Sequence, residues 1–208
     1  INTSSPDDAL HVKGNLFLED SSPEITLETT NSSHYNWQIA AQENVANSFE
    51  IAVGSADADA SNDSFTSTLL INSIGAVTMP LQPAFLAHPA STQSNIADGA
   101  SIVFGTERFD NNGDFASNTF TAPVTGKYQI NFTARIDAID TDAAYIRIYI
   151  VSSNKTYEII KAPNYSADLL YSLWNFSALI DMDANDTLHL NYDQNGGTEQ
   201  SDIQGSSY

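Results

Sequence analysis

The sequence predicts an all-β chain of two parts, and three observations carry that prediction. Apolar and polar side chains alternate with period two at Tyr128, Ile130 and Phe132 against Lys127, Gln129 and Asn131, the pattern of a half-buried strand. The same alternation runs through Ala144–Val151, where Tyr145, Arg147 and Tyr149 share one face and Ile146, Ile148 and Ile150 the other. Finally, Asn185-Asp186 separates the apolar runs Ser177–Met182 and Thr187–Leu190, which reads as a hairpin.

Taken in order, the first part holds short apolar runs at Leu10–Val12, Leu16–Leu18, Ile25–Leu27, Tyr35–Ala40, Phe49–Val53, Leu69–Ile71 and Val77–Met79. Between them lie Asp20–Pro23, Thr29–Ser33 and Ala56–Ser64, all of turn composition. Each run offers only two or three core-quality residues, too few for a self-sufficient sandwich. Neighbouring copies of the chain are therefore expected to complete the core. Pro80 and Pro83 stiffen the crossing into the second part, so the expected domains are residues 1–82 and 83–208. In the second part, Pro83–Ala87 is the first expected strand. Ala122–Gly126 then supplies a bend into the strand that runs through Phe132.

Two resemblances sharpen this division. Phe104, Asp110, Phe115, Phe120, Gly126, Tyr128 and Phe132 resemble the signature of the C1q-like family, with Phe115 to Phe120 two residues shorter than usual and Ile130 in place of an aromatic. The resemblance implies a C1q/TNF-like jelly-roll β-sandwich that assembles as a homotrimer. Asp202–Tyr208 resembles the lead-in to the family's last strand, so that strand is expected to be cut short here. Leu10–Leu16, with Leu69–Asn72 and Gly75–Pro80, resembles the modules that precede receptor-binding heads in bacteriophage tail fibres. That likeness implies a β-rich trimeric shaft segment, a place on the virion, and attachment to a host cell-surface glycan or protein.

Composition limits the alternatives. The chain has 208 residues, no cysteine, and 26 acidic against 7 Lys and Arg side chains, for a net charge of −19. Both parts are acidic, and Lys13 is the lone base before Pro83. No basic patch exists to neutralise phosphates, so nucleic acid is not an expected partner. There is no apolar run near the ~20 residues that cross a bilayer, and membrane insertion is not expected. Ile1–Ser5 has neither a basic start nor an apolar stretch, so no signal peptide is expected and the chain reads as part of a longer protein. Repulsion between copies of so acidic a chain is expected to make assembly favour salt or bound cations.

Sites were sought among nucleophiles, metal ligands and exposed aromatics. His11, His34, His88 and His189 do not pair at metal-ligand spacing, and no Gly-x-Ser-x-Gly elbow is present. Neither a cofactor requirement nor catalysis is expected. Asp57, Asp59 and Asp63 offer oxygens at alternate positions, as a calcium loop does. The loop lacks the mid-loop glycine and has Thr68 where a closing Glu belongs, so a solvated acidic loop is the leading reading and calcium the second. Asp110 and Asp114 flank a turn containing Gly113, with the same two readings. Family-style calcium binding is in doubt, because the aligned position holds Ser172, with Asp168 the nearest acid. For ligand contact the candidates are Tyr165 and Tyr157, near the loop Lys161–Asn164, whereas Trp174 reads as core or trimer interface. The alternatives to an attachment protein are a secreted cellular C1q-like lectin or pattern-recognition protein, and a polysaccharide-degrading fibre enzyme.

Overall fold

The computed structural model describes residues 12–205. Leu10, His11 and Tyr208 lie outside them, and Val12 is in no strand. The chain divides into two compact units, Ile1–Leu81 and Gln82–Tyr208. Each is all-β among the described residues, apart from one 3-10 turn at Ala60–Asn62. None of those residues belongs to a helix long and apolar enough to cross a membrane.

The first unit is one antiparallel meander of β1 (Glu24–Leu27), β2 (Tyr35–Ala41), β3 (Ser48–Ala56), β4 (Thr66–Asn72) and β5 (Val77–Thr78), paired in that order. Leu16–Leu18 forms no strand, contrary to expectation: it has no ladder partner, and Phe17 is 81% exposed. Strand geometry sends alternate side chains to opposite faces, and here the two faces are inverted relative to a soluble sheet. The covered face holds Asn36, Gln38 and Ala40 from β2 and Ser48, Glu50 and Ala52 from β3, all buried. The open face carries the apolar residues. Its register aligns Ile25, Ile39, Ile51 and Leu69 in one row, Leu27, Trp37 and Val53 in a second, and Ala41, Phe49, Ile71 and Val77 in a third.

Loops of the same unit cover the polar face. Asn36 Nδ2 donates to Asp57 (3.1 Å) and Asp63 (2.9 Å), and its Oδ1 accepts the Thr29 amide (2.9 Å). Gly54 lets this loop close down, since a Cβ there would lie 2.3 Å from Asp63 Oδ2. At the other end, buried Glu50 accepts the amides of Asn44 (3.0 Å) and Val45 (2.9 Å) and the hydroxyls of Ser48 and Ser67. Burial alone would raise its pKa. The four donors outweigh that and hold the carboxyl below its ordinary value.

The second unit is a sandwich. One sheet orders β12 (Thr156–Lys161), β11 (Tyr145–Ser152), β14 (Thr187–Asn195), β9 (Thr119–Thr121) and β8 (Phe115–Ala116). The other orders β13 (Leu169–Met182), β10 (Gly126–Ile139) and β15 (Asp202–Ile203), and β6 (Phe85–His88) pairs with β7 (Thr106–Asp110). From β9 onward the chain passes repeatedly between the two sheets, so sheet neighbours are distant in sequence. This is jelly-roll winding, the fold the Phe104–Phe132 motif implies. Ile136 and Ile180 from one sheet and Ile146, Ile148, Ile150, Leu188 and Tyr192 from the other fill a single buried core.

The expected hairpin at Asn185-Asp186 is not one. β13 pairs with β10 and β14 with β11 and β9, so the Asp183–Asp186 turn carries the chain from one sheet to the other. Composition marks a turn but does not choose the strand's partner. The motif aromatics form a cluster: Phe85 stacks on Phe115 (4.5 Å) and on Phe120 (5.3 Å), Phe104 meets Phe115 edge-on, and Phe120 meets Tyr128 likewise. At the far end, β15 pairs with β10 at Ile136 and Asp137.

Candidate functional site

Several oxygens of the acidic loops are engaged within the chain, while Asp63 Oδ1 is buried without a hydrogen-bond partner. Asp57 Oδ1 accepts from Asn36 and from the Asp59 amide (3.0 Å), and Asp59 Oδ1 accepts the Ser61 amide (3.0 Å) and hydroxyl. Those Ser61 donors hold the Asp59 carboxyl below its ordinary value, and Asn36 does the same for Asp63. Asp110 accepts the amides of Asp114 (3.1 Å) and Phe115 (2.9 Å), closing the turn from β7 to β8 in which Gly113 takes φ +71°. An acceptor at position 110 therefore sets where the buried Phe115 enters the core. Among the described residues, no group of three or more His, Cys, Asp or Glu side chains is placed to hold a metal ion.

The aromatic candidates separate cleanly. Tyr157 belongs to β12, where alternation turns it and Ile159 inward, half-buried against the core, with Lys155 Nζ 5.3 Å from its ring. Trp174 is 2% exposed and is a core residue. Tyr165 is 56% exposed on the loop between β12 and β13. It lines a small cleft with Lys161, Pro163, Leu169, Ser172 and Trp174. The Lys161 ammonium lies 4.4 Å from the indole ring, a favourable cation–π distance. The indole N–H is buried without a protein partner. The cleft's interior of about 10 Å³ has the room of one water.

Two aspartates brace this rim. Asp168 accepts the Thr141 amide (3.1 Å) and Gln200 Nε2 (2.9 Å), and Asp140 accepts the amides of Asp142 (2.8 Å) and Thr198. These donors hold both carboxyls below their ordinary values. The loop that carries Tyr165 is thereby tied through Asp168 to the loops at 140–142 and 198–200.

The outer sheet faces carry two further features. On β13, Tyr171, Leu173 and Leu179 are 66%, 62% and 60% exposed. Opposite them stand Asp137, Arg135 and Gln129 of β10. On the five-stranded sheet, Arg147 lies between the Tyr145 and Tyr149 rings (5.8 and 4.9 Å) and pairs with Glu158 (3.0 Å) and Asp193. Burial, together with the hydrogen bond its protonated form donates to Asp98, raises the Asp193 pKa against the pull of Arg147. Alternation placed Tyr145, Arg147 and Tyr149 on one face in sequence. Their acidic partners were not visible, because they lie on other strands.

No protein-family model matches the chain, and no curated protein does. Among solved structures, it is similar to the globular domain of zebrafish complement 1qA protein, at 17% identity over 61% of this chain and 98% of that one, with a TM-score of 0.45. A much weaker likeness, at 8% identity over 91% of this chain and 54% of the other with a TM-score of 0.17, is to exo-β-1,3-galactanase from Phanerochaete chrysosporium with galactose.

Proposed function

We propose that this chain is a non-enzymatic adhesin: a homotrimer whose C-terminal sandwich is the receptor-binding head of a viral, phage-type tail fibre, attaching to a host-surface glycan or protein. The observation that carries this reading is Tyr165, an exposed aromatic beside Lys161 on loops braced by Asp140 and Asp168. A tyrosine ring gives a sugar face or a protein side chain a large contact at low entropic cost, and the bracing reduces the ordering cost of binding further. The exposed row Tyr171, Leu173 and Leu179 supports the trimer, since apolar residues grouped on the outside of a filled sandwich favour association. Three weak sites on one stalk then bind a dense host surface by avidity.

A glycan and whole-cell binding screen with the intact chain tests the reading. Tyr165→Ala is expected to weaken each site about tenfold, with the thermal melt unchanged. Equal binding by the variant would move the contact elsewhere, and release of oligosaccharides from host polysaccharide would replace the adhesin with an enzyme. Light scattering is expected to give about three times 22.5 kDa. Leu173→Glu is expected to weaken the association of the heads, seen as a lower mass on dilution.

A further inference from the structure

We infer that the open face of the β1–β5 sheet is an interface, and that its occupant is a second copy of this chain. The observation is the inversion of the sheet. The unit's own loops cover Asn36, Gln38 and Glu50, while Ile25, Leu27, Trp37, Phe49 and Val77 remain 40%, 54%, 41%, 44% and 59% exposed. A lone sheet in water gains by the opposite arrangement, so the face is built for a state in which it is covered.

Three arguments select a copy of the chain as that cover. The first is area. With large side chains of roughly 150–250 Å² apiece, the five exposed residues and the half-buried Ile39 and Ile51 between them leave on the order of 500 Å² of apolar surface open. That is at the top of what a monomer displays and approaches the ≈ 800 Å² a partner contributes to a stable interface. The second is charge. A chain of net charge −19 meets its own copies most favourably where carboxylates are few, and none of the three cross-strand rows on this face contains a charged residue. The third is shape. Two like sheets pack face to face through interdigitating side chains, and a groove of about 180 Å³ lined by Leu18, Ile25, Ile39 and Phe49, with Glu24 its one charged residue, has room for those of a facing sheet. The inference takes from the proposed function only that copies associate; the surface follows from the first unit alone.

The chain has two tryptophans and no cysteine, which makes the test direct. In full-length Trp174→Phe, Trp37 is the sole indole. Its emission is expected to be blue-shifted and its quenching by acrylamide several-fold weaker than that of free tryptophan, at concentrations where light scattering gives a multiple of the chain mass. Adding Phe49→Glu is expected to restore solvent-level quenching. A multimer with a fully quenched Trp37 would overturn this inference and leave the homotrimer standing. A monomer with a quenched Trp37 would sink both, and a monomer with a shielded Trp37 would mean that the chain covers the face itself.

Should Trp174→Phe not fold, single cysteines decide. Leu27→Cys is expected to cross-link two chains with a short thiol-specific reagent, while its neighbour Thr26→Cys, on the opposite face, does not. Equal cross-linking at both positions, or at neither, overturns the interface.

Discussion

Glu50 shows how much one side chain can organise. Its carboxylate ends four hydrogen bonds in a site with no exposure to water, so Glu50→Ala would strand buried donors at a cost of about 2–3 kcal/mol. A urea melt followed by Trp37 fluorescence, in the same sheet, should show that loss. The acid dependence follows from the lowered pKa. A carboxyl depressed in the fold adds stability that is complete above its unfolded value, 4.5, and is lost as pH falls through the folded value. The first unit should therefore weaken in acid below about pH 4.5, and Glu50→Gln should flatten that limb of the curve. Tyr192 behaves in the opposite sense: burial pushes its phenol to about 12 from 10.0. The stability this brings is complete below pH 10 and is lost as pH rises through about 12.

Strands were legible where one face differs from the other. Tyr35–Ala40, Phe49–Val53 and Gly126–Phe132 fall within strands β2, β3 and β10, and the run Ala144–Val151 falls within β11 but for Ala144, because alternation is a local property. Pairing is not local, and the turn at Asn185-Asp186 was read as a hairpin for that reason. The Leu16–Leu18 run failed on the same ground, since apolar residues without a ladder partner do not make a strand. Tyr157 looked like a loop contact because its neighbour Lys161–Asn164 has loop composition, whereas the parity of β12 decides that it points inward. The inverted sheet of the first unit was half visible: the scarcity of core residues could be counted, but which face the loops cover could not. Gly54 is one key to that covering. Gly54→Ala should push Asp63 off Asn36 and cost about 1–2 kcal/mol, measured in the same urea melt, while Gly113→Ala, with nothing within 4 Å of its added Cβ, should cost only the strain of its positive φ.

At the scale of the whole molecule, charge and apolar surface oppose each other. Copies carrying −19 apiece repel across dilute buffer, where the screening length is about 30 Å at 0.01 M salt and about 10 Å at 0.1 M. Assembly mass measured at fixed protein concentration should therefore rise over that range. Cations are expected to act through screening, since several loop carboxylate oxygens already accept amides and hydroxyls and no group of three acids or histidines among the described residues is placed to hold an ion. A chelator should leave the melting midpoint in place, and a clear drop would reveal a bound ion. The jelly-roll motif was legible in the second unit because its aromatics pack into or against the core. The surface candidates were harder to place, because exposure depends on loops tied together by residues as far apart as Asp140 and Thr198.

The passage of the chain between the two sheets also governs when the sandwich can form. β6 pairs with β7 and β8 with β9 locally, but β9 joins the rest of its sheet only through Leu188 of β14, and β10 waits for β13. Contacts this distant in sequence make for slow folding, on the scale of milliseconds to seconds or longer. On a ribosome the sandwich would remain open until its last strands emerge, whereas the first unit, a meander of neighbours, can close early. In Trp37→Phe, where Trp174 reports alone, refolding should be the slower phase; in Trp174→Phe, Trp37 should report the faster one. Synthesis would then order folding in time, with the first unit closed while the sandwich is still unfolded.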